Sequence, residues 1–212
     1  MKLNWAKIII FFELIIAAIV IIFDLFIPTL LILAFLVISI VFKKFKFSSL
    51  GFKKISSPLK TIFLILLSVV LLQLFDVGVI MPIINHTTGQ SIDYSSFGSI
   101  HGDLSRFLVL LLLAWFLAAL GEEIVYRGYI FQLAKNLLTY YPAIIISSLL
   151  FGLAHTEQGF VGVIVTTFDA VVFSLLNRKF NQNLWISVIA HGFYNTIGLV
   201  FAYFFGPIHQ LW

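Results

Sequence analysis

The chain has 212 residues, of which 61% carry hydrophobic side chains and only 10% are charged. Soluble domains hold roughly 45–50% apolar and about 25% charged residues, so this composition excludes an ordinary soluble domain, a disordered chain and a collagen-like one. It also excludes a nucleic-acid partner, because the pI of 9.3 rests on only 13 Lys and Arg, placed where membrane topology would put them. Cysteine is absent, which removes disulfides, thiol nucleophiles and thiolate metal sites together. The length suits a single membrane domain over residues 1–212.

A hydrocarbon core about 30 Å thick needs roughly 20 apolar residues as helix. In chain order, the first apolar run covers residues 5–23, and Asp24 and Pro28 punctuate it before a second reaches Phe42. A third covers residues 61–84, and a fourth begins near Phe107 and continues through Leu120 towards Lys135. Residues 142–155, 160–176 and 184–205 supply three more, the run from Pro142 being the shortest. The expected fold is therefore all-α, a polytopic membrane bundle of about seven helices. Lys2 and Lys7 ahead of the first run imitate a signal peptide. The run is too long for that, and no small-x-small site precedes Asp24, so it reads as a retained span.

Basic residues orient the bundle through the positive-inside bias. With the N-terminus in the cytoplasm, that face carries Lys2, Lys7, Lys43, Lys44, Lys46, Lys53, Lys54, Lys60, Lys135, Arg178 and Lys179. The outer loops carry only Arg106, beside Asp24, Asp93, Asp103 and Glu157. A Ser/Gly-rich outer loop, about residues 85–105, separates an N-terminal three-span half (1–84) from a second half whose helical core is 107–205. The first half is mostly Ile, Leu, Val and Phe; the second holds nearly all of the intramembrane polar chemistry.

A charge at the centre of a span costs at least about 2.5–3.5 kcal/mol on insertion scales, which makes such residues functional candidates by default. The densest group is Gly121-Glu122-Glu123-Ile124-Val125-Tyr126-Arg127-Gly128. Adjacent carboxylates on an α-helix point about 100° apart, so Glu122 and Glu123 cannot share one role. Glu123 and Arg127 stand at i and i+4 with the acid first, the spacing of an ion pair on one face. Glu122 has no cation at that spacing, and a desolvated carboxyl without a partner is the environment of a general base or acid. An ion network that locks helices and a catalytic site remain equal readings of these residue types.

His155 closes Phe151-Gly152-Leu153-Ala154-His155, and His191 opens His191-Gly192-Phe193-Tyr194-Asn195. His191 and Asn195, at i and i+4, share a helix face. A lone intramembrane His is usually a packing residue, but two on separate helices, with an unpaired Glu on a third, shift the balance towards chemistry. Depth agrees. At about 1.5 Å per residue, Glu122 lies roughly 20 Å before Lys135, His155 roughly 20 Å after Pro142, and His191 and Asn195 roughly 12 and 18 Å beyond Asn183. Glu13, Gln73, Asp76 and Asp169 are weaker signals, expected to pair between helices or lie near interfaces. His86 and His101 belong to the outer loop and His209 to the tail.

In order and spacing, Glu122-Glu123-Ile-Val-Tyr-Arg127, Phe151-Gly-Leu-Ala-His155 and His191-Gly-Phe-Tyr-Asn195 resemble the CPBP family, the CAAX proteases and bacteriocin-processing enzymes also called Abi. The resemblance covers about residues 107–205. It implies an intramembrane endopeptidase acting on a membrane-associated peptide or protein in a bacterial cell membrane, with roles in bacteriocin maturation or self-immunity. It also implies Glu122 as general base, His155 binding and activating water, His191 and Asn195 donating to the oxyanion, and Glu123 with Arg127 as the supporting pair. Glu122, His155 and His191 would equally make a His2Glu zinc set with an open fourth position. The family is commonly labelled metalloprotease while a metal-free glutamate mechanism is argued for its prenyl-protein members, and metal-free chemistry is preferred here. No HExxH, GxGD or GxSG motif supports another intramembrane protease class.

A non-proteolytic immunity or scaffold protein on the same fold is the alternative. A proton-relaying transporter ranks below it, because no inverted repeat or paired broken span is visible. The sidedness is testable: a reporter enzyme fused in the loop near Asp93 should be active only outside the cytoplasm, and cytoplasmic activity would reverse the orientation.

Overall fold

Lipid offers no partner for backbone N–H and C=O groups, so each apolar run must satisfy its own by winding into a helix. The computed structural model describes residues 5–25, 27–42, 44–95 and 100–206; Lys2, Lys43 and His209 lie outside the described residues. The helices are α1 (Trp5–Ile22), α2 (Pro28–Val41), α3 (Pro58–Thr88), α4 (Leu104–Leu137), α5 (Tyr140–Leu153), α6 (Gly159–Lys179) and α7 (Leu184–Phe205). Pro28 and Pro58 start α2 and α3, where their missing N–H removes no intrahelical bond. Asp103 and Asn183 cap α4 and α7 by accepting from the backbone N–H groups of Arg106 and Trp185.

The all-α polytopic expectation holds, with a refinement of length. Among the described residues, five helices (α1, α3, α4, α6 with its preceding turn, and α7) are long and apolar enough to cross a membrane. The remaining two, α2 and α5, have 14 residues each, about 21 Å of rise against a core of about 30 Å. Two of the long helices are also not uniformly α. The turns of α3 widen to π-helix over Asp76–Ile80, and those of α4 over Ala114–Glu122 and Ile124–Ile130. Such widened turns are frequent at functional sites, and those of α4 run up to Glu122 and resume just after Glu123.

Loop contacts sort the helix ends into two faces. At the Lys-rich end, the Leu184 N–H donates to the Gly51 carbonyl at 2.9 Å. Lys53 Nζ donates to the Asn181 carbonyl at 2.6 Å and Lys135 Nζ to Gln182 Oε1 at 3.0 Å. Gly51 is required there, because its φ is +90° and a Cβ would meet the Gln182 carbonyl oxygen at 2.9 Å. At the opposite end, the Gly102 N–H and His101 Nδ1 both donate to the Tyr203 carbonyl, and the Asp93 N–H donates to that of Gln158. The alternation of ends read from the basic residues is thus reproduced by the loop pairing.

Side chains such as Phe12, Leu74, Phe116 and Phe204 face outward and exposed, as lipid contact requires. The interior is closed where backbones approach. α5 and α6 pack tightly at Gly152, where a Cβ would collide with Thr167 Oγ1 and lie 2.7 Å from the Val163 carbonyl. Small residues at such crossings are how membrane helices gain van der Waals contact. Gly152→Ala should therefore lower stability by about 1–3 kcal/mol, as overpacking does, measured as thermal unfolding in detergent. Gly78→Ala, which meets nothing within 4 Å, should leave the transition unchanged.

Candidate active site

The site assembles where α4, α5, α6 and α7 meet. Glu123 on α4 is completely buried, and its Oε1 takes two partners: Arg127 Nη1 at 2.8 Å, one turn along the same helix, and His191 Nδ1 on α7 at 3.0 Å. A carboxylate only accepts, so His191 Nδ1 carries the hydrogen and donates it. The other nitrogen, Nε2, faces Glu122 Oε2 at 3.9 Å, close to the separation that one water molecule would bridge. Adjacent in sequence, the two glutamates thus flank opposite nitrogens of one imidazole and hold different positions.

Glu122 contrasts with its neighbour. Its side chain keeps 17% exposure against 0% for Glu123, and its Oε2 receives no hydrogen bond from the protein. The side chain is not wholly enclosed, and it meets His191 Nε2 only at 3.9 Å, longer than a hydrogen bond.

His155 sits just past the end of α5, half-buried. Its Nδ1 donates to the Phe151 carbonyl at 2.8 Å; since a carbonyl only accepts, Nε2 is left with a free lone pair. Phe151 lies between the two histidines, its ring 4.7 Å from that of His155 and 5.8 Å from that of His191. The same ring carries the Arg127 guanidinium 4.4 Å from its centre, a cation–π contact that is strong when desolvated. Asn195 lies four residues beyond His191 on α7, half-buried.

Sequence reasoning overlooked two aromatic supports. Phe173 on α6 stacks on His191 with ring centres 5.6 Å apart. Trp115 donates Nε1–H to Thr196 Oγ1 at 3.0 Å and lies against Gly192, where a Cβ would meet its ring at 2.5 Å. Neither carries a motif, because an aromatic residue in a span resembles lipid-facing bulk. Of the weaker candidates, Tyr129 donates to Glu13 at 3.4 Å and Gln73 donates to the Tyr194 carbonyl; Asp76 and Asp169 approach each other away from this site.

Among the described residues no three His, Asp or Glu side chains converge closely enough to hold one metal ion. Glu122, His155 and His191 as placed do not form a His2Glu set, and no step below runs through a metal.

The helical fold and buried Glu–His centre define a polytopic integral membrane protein with a candidate hydrolytic site. Residues 104–197 match the family model described as type II CAAX prenyl endopeptidase Rce1-like. That segment, α4 through most of α7, is less than half of the chain, and over it the chain is similar to this family of CAAX-type proteases. No curated protein and no solved structure matches the chain.

The two glutamates should separate in a stability measurement. Glu123→Ala strands Arg127 as a buried unpaired charge, so we expect a loss of about 3–5 kcal/mol. Glu122→Gln removes no partner and should unfold at the wild-type temperature in detergent. A common loss for both would make Glu122 part of the supporting network.

Proposed function

We propose that this protein is an intramembrane endopeptidase in which Glu122 activates the hydrolytic water. The observation that carries the reading is the Glu122 carboxyl facing His191 Nε2 at 3.9 Å without a hydrogen bond on Oε2, beside a neighbour whose Oε1 is held by Arg127 and His191. Its 17% side-chain exposure leaves it reachable by water, and without an Arg or Lys partner it keeps a lone pair for the proton.

In the proposed reaction, Glu122 accepts a proton as the water oxygen attacks the scissile carbonyl carbon. His155 Nε2, acceptor by its tautomer, takes a hydrogen bond from the same water. The carbonyl becomes an oxyanion, and His191 with Asn195 stabilises it by donating hydrogen bonds. For that role His191 must also be protonated at Nε2. Glu123 supports such an imidazolium through Nδ1, as Arg127 in turn supports Glu123. Glu122 then returns its proton to the leaving amine nitrogen as the carbon–nitrogen bond breaks, which restores the carboxylate.

The substrate is proposed to be a membrane-associated peptide or protein, reached within a bacterial cell membrane with the chain's N-terminus cytoplasmic. The setting proposed is bacteriocin maturation or self-immunity, which the compact size of the chain fits. The matched family model is one of prenyl endopeptidases, so the test includes prenylated tails.

Purified protein in lipid nanodiscs should cleave at least one member of a panel of quenched membrane-anchored peptides, prenylated and unprenylated. Glu122→Gln should lower kcat by about 10²–10⁴, the scale of a lost general base. His191→Ala and Asn195→Ala should each cost about 10²–10³, the scale of a lost oxyanion donor. Full cleavage by Glu122→Gln overturns the mechanism. Metal analysis of the active protein, before and after chelation, decides the cofactor: stoichiometric zinc lost together with activity would replace the metal-free route.

A further inference from the structure

A second polar cluster lies buried in the bundle, and the proposed reaction does not use it. Asp76 stands at the first π-wound residue of α3 and is wholly buried. Asp169 on α6 is 4% exposed, and the two side chains are within hydrogen-bonding reach of each other. Tyr194 on α7 donates its hydroxyl to Asp76 Oδ2 at 2.8 Å. From α3, Gln73 donates its amide to the Tyr194 backbone carbonyl at 3.0 Å. Tyr94, in the loop between α3 and α4, faces the same acids; burial, then the charges of Asp169 and Asp76, push its pKa up, so it remains a phenol. Arg127 acts on Asp169 from a distance, but its guanidinium is paired with Glu123.

Asp76 Oδ1 and Asp169 Oδ1 are both buried without a donor. As two carboxylates they would meet acceptor to acceptor with no cation between them. Two like charges at hydrogen-bonding distance in a dry interior do not both ionise. A single proton resolves the repulsion and the orphaned oxygens together, because a protonated carboxyl donates its O–H to the other. Among the described residues no third His, Asp or Glu joins them to hold a metal.

We infer that Asp76 and Asp169 share one proton and act, through Tyr194, as a positioning pair that sets the rotation and depth of the α7 turn bearing His191 and Asn195. The pair ties α3 to α6, and Tyr194 ties both to α7. Phe173 relays the contact sideways, edge-on to Tyr194 at 6.0 Å and stacked on His191 at 5.6 Å. The shared proton stands on the cluster alone, while its effect on turnover rests on the protease reading.

Infrared spectra of the full chain in nanodiscs at neutral pH test the proton directly. Wild type should show a protonated-carboxyl C=O band that disappears in both Asp76→Asn and Asp169→Asn. A spectrum in which neither substitution removes a band, or only one does, overturns the sharing. An unfolding temperature that rises with sodium in wild type but not in Asp76→Asn would put a cation in the proton's place and overturn it too.

With a cleaved peptide from the panel, Asp169→Ala should lower kcat by about 10–100-fold with KM little changed, as a misplaced group does. Asp169→Asn should return kcat to within about threefold of wild type, since its amide can still donate to Asp76. Equal losses in Asp169→Ala and Asp169→Asn overturn the positioning role. If wild type cleaves no peptide, the protease reading fails, and the infrared bands still decide the pair.

Discussion

The structure turns on one buried carboxylate. Glu123 has no exposed surface, and Arg127 and His191 meet the same one of its oxygens from two helices. A charge in the middle of a bilayer is expensive alone, and even a paired one needs good geometry and further hydrogen bonds. Satisfying Glu123 therefore fixes two things at once. It binds α4 to α7, and it holds the His191 ring by Nδ1, which turns Nε2 towards Glu122.

The surrounding packing serves that constraint. Phe151 gives Arg127 a π face on one side of the ion chain and contacts both imidazoles. Phe173 stacks on His191 from α6, while Trp115 lies so close to Gly192 that a methyl group would not fit. Aromatic rings do this work because they fill a dry site without bringing polar atoms that need partners. At the Lys-rich end, bonds from Lys53, Lys135 and Leu184 to the neighbouring loops fix where α7 begins, and hence the depth of His191.

Much of this was legible before folding, for physical reasons. Long apolar runs have one outcome in lipid, so all seven helices could be read along the chain. Glu123 and Arg127 pair at i,i+4, a local relation that helix geometry dictates whatever lies around it. The bond from Glu123 to His191 spans 68 residues, and no periodicity reports it. Phe173 and Trp115 were hidden because span composition is saturated with aromatics. The short reach of α2 and α5 was only half visible, and the widened turns of α3 and α4 not at all, since they depend on packing between helices rather than on any propensity.

The sequence by itself determined the membrane fold class, the order of the helices, the separation of basic from acidic loops and the three motif segments that resemble one family. These follow from composition and from spacing within single helices, where the bilayer and helix geometry leave few alternatives. The tertiary structure alone decided which glutamate is locked and which is left open, and which imidazole nitrogen faces it. It also decided that Asp76 and Asp169 meet. Those outcomes depend on how helices distant in sequence rotate against one another, and that rotation is set by the burial of a few charges that lipid cannot solvate.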